Sequence, residues 1–126
     1  MLSPLIAVAL LAPALASPQS QKPACELGGQ WTRNDHIQTI EVYSEDGRWF
    51  ARLLSSSEKG ATPGFVLFRD FVYDPQKRAF KGTVIVPTSG LRATAELTCL
   101  DETTFKVTAH KFFITKSFVF DRSTHR

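Results

Sequence analysis

The chain has 126 residues, 43% of them hydrophobic, with ten Phe and a single Met. That is enough for one modest core and one domain. Its net charge of +3 comes from 15 basic and 12 acidic side chains mixed along the sequence, which excludes the dense basic stripe of a nucleic-acid binder.

The first predicted element is a leader. From Leu5 to Leu15 the chain is apolar and uncharged, and it closes on Ala14-Leu15-Ala16. The run is shorter than the about 20 apolar residues a membrane helix needs. An apolar core, a small-x-small end and a polar stretch behind it make a secretory signal peptide. Residues 1–16 are therefore set aside as signal, 17–24 as a flexible lead-in, 25–122 as the domain and 123–126 as a tail. No basic residue precedes the apolar core, so an uncleaved membrane anchor is the alternative. Export places the protein in the periplasm or outside the cell, with no integral membrane segment after processing.

Cys25 and Cys99 are the two cysteines. In an exported chain an even count reads as a disulfide. Two separate thiols are the alternative. Without a Cys-x-x-Cys, neither a redox nor a metal role is indicated.

The domain then alternates β-rich runs with turn signals. Strands are expected near Gln30–Thr32, Gln38–Tyr43 and Arg48–Leu54, the last two joined by Ser44-Glu45-Asp46-Gly47. Asp-Gly between apolar runs is a hairpin signal. Residues 55–64 are polar and Gly/Pro-bearing, either a plain surface loop or a lid. Further strands follow at Phe65–Tyr73, Ala79–Val86 and Leu91–Cys99, separated by Asp74-Pro75-Gln76-Lys77 and Pro87-Thr88-Ser89-Gly90. Leu91–Cys99 alternates most cleanly: Leu91, Ala93, Ala95, Leu97 and Cys99 share one face, and Arg92, Thr94, Glu96 and Thr98 the other. That is period 2 with one dry and one wet face. Strands around Phe105–His110 and Ile114–Asp121 complete the set.

About eight short strands with tight links and no helix give an all-β class. A small antiparallel up-and-down β-barrel is expected, because closure removes exposed edges. Ala93 and Ala95 leave space on the inner face, open to a cavity or to a partner Phe. The abundance of Phe favours filling.

The run Leu27-Gly28-Gly29-Gln30-Trp31 resembles the Gly-x-Trp opening of lipocalins and their calycin relatives. That resemblance implies a Trp closing one barrel end under a late-strand Arg, with Trp31 and Arg122 as the matching pair. The wider series also falls in order: Gly29-x-Trp31, Ile40-x-Val42-Tyr43, Asp46-Gly47, Phe50-Ala51-Arg52-Leu53, Gly64, Pro87-x-Ser89-Gly90 and Phe120-x-Arg122. It is similar to the small exported bacterial proteins grouped as domain of unknown function 2147. The resemblance covers residues 28–122. Two features depart from it: Ala51 stands where that family usually has Gly, and residues 55–64 lack the cysteine motif many members carry there. The family implies a lipocalin-like barrel and brings no activity and no catalytic residues.

No catalytic signature stands out, and no cofactor, metal or enzymatic activity is expected. The three histidines, His36, His110 and His125, are scattered, whereas metal sites need clustered ligands. No Gly-x-Ser-x-Gly elbow selects a nucleophile. Asp70, inside a predicted strand, reads as a wet-face residue or as an inward charge paired with Arg52 or Arg69. Lys111-Phe112-Phe113-Ile114-Thr115-Lys116 reads as a strand-joining turn or as an exposed aromatic contact beside cations. The leading expectation is a non-catalytic barrel binding a small apolar ligand. Its expected wall residues, from strand phase, are Val42, Phe50, Phe68, Val84, Ala93, Ala95, Val107 and Phe118. The alternative is a protein-interaction module, such as an inhibitor of an exported hydrolase, acting through Ser17–Ala24.

Overall fold

The computed structural model describes residues 22–123. The signal assigned to residues 1–16, residues 17–21 of the lead-in and residues 124–126 of the tail lie outside the described residues.

Eight antiparallel strands close into a barrel in chain order. They are β1 (Gly29–Arg33), β2 (Gln38–Glu45), β3 (Arg48–Ser56), β4 (Val66–Asp74), β5 (Ala79–Ile85), β6 (Arg92–Asp101), β7 (Thr104–Lys111) and β8 (Ile114–Arg122). The last strand returns to the first, with Trp31 opposite Arg122. Closure leaves no free edge.

Turn chemistry fixes this up-and-down order. In the β2–β3 hairpin both Asp46 (φ 53°) and Gly47 (φ 79°) adopt the positive φ that a two-residue turn of matching twist requires. Asp74 and Asp101 side chains each accept a hydrogen bond from a backbone N–H two residues on, at Gln76 and Thr103. The Gly90 N–H closes the β5–β6 link on the Val86 carbonyl at 2.8 Å.

The two ends of the barrel are filled differently. One end, called the base, holds residues 25–28 ahead of β1, and its interior is aromatic. The Trp31 ring lies 4.5 Å from Phe105, Phe105 stacks 5.2 Å from Phe120, and Phe68 sits 5.4 Å from Phe71. A β-bulge between Arg69 and Val72, with Asp70 at φ 59°, turns Phe71 inward and Asp70 out toward Arg48, 3.9 Å away. Phe71 then lies flat over Gly82, where an added Cβ would stand only 2.6 Å from its ring. Gly82 pairs with Ala95, so the Ala95 layer is filled by a Phe. The Ala93 layer above it is not. The expected aromatic filling therefore holds for the base and fails for the upper barrel, where Phe68, Phe118 and Phe120 line a space that they do not fill.

Phe50, expected in the barrel wall, points outward. The inward face of β3 carries Trp49, Ala51 and Leu53, so Phe50 lies on the outer face. It stacks on Tyr43 across the strand pair at 5.7 Å, and the Arg52 guanidinium covers Tyr43 at 4.5 Å. This outer cluster shelters the ring without burying it in the core.

Cys25 and Cys99 form the disulfide, joining the segment before β1 to the basal end of β6 across 74 positions. A loop that long restricts the unfolded chain strongly. Replacing both cysteines by Ser should lower unfolding stability by about 2–4 kcal/mol, read as a lowered urea midpoint with a steeper slope, because the unlinked unfolded chain exposes more surface. An unchanged midpoint would show that the clasp is dispensable.

Candidate functional site

The base is sealed. Trp31 is fully buried, and its Nε1–H donates to the Leu27 carbonyl at 2.8 Å. Arg122 lies over the indole, its Cζ 4.1 Å from the ring centroid. Its Nη1 donates to the Gly28 carbonyl at 2.7 Å and its Nη2 to the Glu26 carbonyl. Gly29, at φ 121°, allows this approach: a Cβ there would meet Arg122 Nη1 at 3.0 Å. A guanidinium over an indole contributes about 0.5–2 kcal/mol, and here it also caps two carbonyls of the segment before β1.

The opposite end is open. A cavity of about 530 Å³ descends from it between the β1–β2, β3–β4, β5–β6 and β7–β8 links. Its walls are mainly apolar: Leu67, Phe68, Val84, Ala93, Val107, Ala109, Phe118 and Phe120. Five polar side chains join them, namely Arg33, Gln38, Glu58, Lys111 and Lys116.

Strand phase explains how four of these reach the lining. Arg33 follows inward Trp31 by two residues, and Gln38 precedes inward Ile40 by two. Lys111 follows Ala109, and Lys116 precedes Phe118, at the same spacing. They occupy the upper ends of four adjoining strands, β7, β8, β1 and β2. One side of the upper cavity is thus polar and cationic.

Arg33 is the best anchored of the set. Its side chain is only 11% exposed, and its guanidinium lies 5.0 Å from the Phe118 ring centroid. Its Nε donates to both Asp35 carboxylate oxygens, at 2.9 and 3.1 Å. That bond holds the Asp35 carboxyl below its usual range. Gln38 is 5% exposed. Lys111 and Lys116 enter no ion pair among the described residues.

Of the wall residues expected from sequence, Phe68, Val84, Ala93, Val107 and Phe118 come together around this cavity. Val42 and Ala95 face inward but belong to the filled core. Phe50 is outside. The four polar strand residues escape the sequence reading, although the two-residue step from Trp31 and Phe118 marks Arg33 and Lys116. From residues 55–64 only Glu58 reaches the cavity. His36 and His110 do not line it; His110 Nδ1 is paired with Thr115 Oγ1 at 3.1 Å on the outer surface.

A closed eight-stranded antiparallel barrel, plugged by a Trp–Arg pair at one end and open to an apolar cavity at the other, is a lipocalin-like barrel. A solved structure described as "Protein HP1028 from the human pathogen Helicobacter pylori belongs to the lipocalin family" has the same fold, with a TM-score of 0.65 at 16% identity, over 79% of this chain and 84% of that one. No protein-family model and no curated protein matches the chain.

Proposed function

We propose that the protein is an exported, non-catalytic carrier that takes a small apolar molecule with an acidic end into the open half of its barrel. The observation behind this reading is the cavity. Its volume of about 530 Å³ falls within the about 300–1,000 Å³ of small-molecule sites, which are apolar with a few placed polar groups. An apolar tail would occupy the space beside Ala93, Val107 and Phe118. An acidic end would meet Lys111 and Lys116, which have no carboxylate partner among the described residues. Export accords with the disulfide, since such bonds persist in oxidising compartments.

The test is displacement of a fluorescent apolar probe by two ligands of equal chain length, a long-chain carboxylic acid and the matching alcohol. A charge-assisted hydrogen bond contributes about 1.5–3 kcal/mol, so the acid should compete at least about tenfold better. Equal competition would remove the acidic end from the reading. Failure of every apolar probe to bind would remove the carrier role.

A further inference from the structure

We propose that the open end of the barrel docks on an anionic lipid surface, with Phe112 and Phe113 entering the bilayer interface. These residues form the two-residue turn between β7 and β8, and they are 90% and 101% exposed. Ile114 beside them is 61% exposed, and Leu91 and Val86 of the neighbouring β5–β6 link are 53% and 37% exposed. Five of the seven large exposed hydrophobics among the described residues therefore cluster at one end of the barrel.

The fold does not call for this turn. Phe112 sits at φ 55°, a conformation that favours Gly or Asn and strains a bulky residue. The β2–β3 hairpin meets the same need with Asp46-Gly47. The Lys111 ammonium stands 5.4 Å from the Phe112 ring centroid, but both rings are held in water at a strained turn and neither packs into the core. Their surroundings supply a reason for them.

Charge selects the partner. The open end carries Arg33, Lys59, Arg92, Lys111 and Lys116 against Asp35 and Glu58. This end therefore carries +3, whereas the other described residues hold nine basic and ten acidic side chains. Aromatic tips flanked by Lys and Arg suit the interface of a membrane with anionic headgroups. A protein partner fits less well. Specific protein interfaces bury about 800 Å² on each side with matched shape, whereas a convex tip needs only a soft phase to enter. Docking at this end would place the cavity mouth against the bilayer. The inference rests on the exposed surface and its charge, and it stands whether or not the cavity takes a ligand.

The test is flotation of the purified protein with two sets of vesicles. One is phosphatidylcholine alone and the other contains about one-third phosphatidylglycerol. The comparison variant is Phe112→Gly with Phe113→Ser. Glycine suits φ 55°, so the turn and the thermal midpoint should be retained. Both proteins share the same N-terminal segment, so any difference reports the turn. Losing two apolar side chains from the interface should weaken retention on anionic vesicles at least about tenfold. Raising salt from about 0.1 to about 1 M cuts the screening length from about 10 Å to about 3 Å and should release the parent protein. Equal retention of the two proteins on anionic vesicles, or retention of neither, overturns the proposal. So does the same difference on neutral vesicles. Photo-crosslinking through position 113 to a protein, without vesicle retention, would overturn it in favour of a protein partner.

Discussion

Replacing Trp31 by Ala should lower the thermal midpoint by at least about 12 °C. Removing a fully buried Trp costs about 3–5 kcal/mol, and each kcal/mol shifts the midpoint of a domain this size by about 4–8 °C. Three further losses accompany the cavity. The Phe105 ring loses its neighbour at 4.5 Å, the Arg122 guanidinium loses the face it covers at 4.1 Å, and the Leu27 carbonyl loses its donor. A domain with about 5–15 kcal/mol in hand would be left marginal. Trp31→Phe should cost less, since a ring remains against Phe105 although the bond to Leu27 is gone. Thermal melts followed by circular dichroism compare the two. A loss below about 1 kcal/mol for Trp31→Ala would show that the base seal is ornamental.

The barrel was legible in the sequence because its local signals agree with one another. Leu91–Cys99 announces its face by alternation, Asp46-Gly47 announces its hairpin, and the links are too short for anything but antiparallel neighbours. Strand phase failed where two neighbours of one kind sit together. Trp49 and Phe50 are adjacent aromatics, so aromatic character alone does not say which points inward. The charges do: Arg48 and Arg52 share a face with Phe50, and that face is the outer one. The bulge at Asp70 left no mark in the sequence. It resets the phase of β4 by one residue, which is how Phe68 and Phe71, three positions apart, both become interior.

The candidate site was only half legible for a related reason. Its apolar walls follow from alternation, and five of the eight expected residues line it. Its polar part requires carrying the same alternation through Arg33, Gln38, Lys111 and Lys116, where residue type argues for solvent. In a barrel, inward positions near an open mouth are wet enough to hold a charge, and long side chains can keep the head hydrated while the stem lines the wall. Position along the strand decides the environment there.

Ala93 and Ala95 give the sharpest division between open and filled interior, because they are two residues apart on one face of β6. Ala93→Trp should be accepted, with stability changed by less than about 1.5 kcal/mol, since its indole would enter the cavity of about 530 Å³. Ala95→Trp should destabilise by about 1–3 kcal/mol or more, since Phe71 already occupies that layer over Gly82. Binding should separate the two as well. The indole at position 93 would stand where a ligand tail has to lie, so apolar-probe affinity should fall at least about tenfold, equivalent to about 1.4 kcal/mol. A folded Ala93→Trp protein that binds the probe undiminished would move the binding place out of the barrel. Equal tolerance of both substitutions would mean that the interior is not divided as described. The pair of variants therefore tests the cavity through stability, which needs no knowledge of the ligand, and through binding, which tests what the cavity is for.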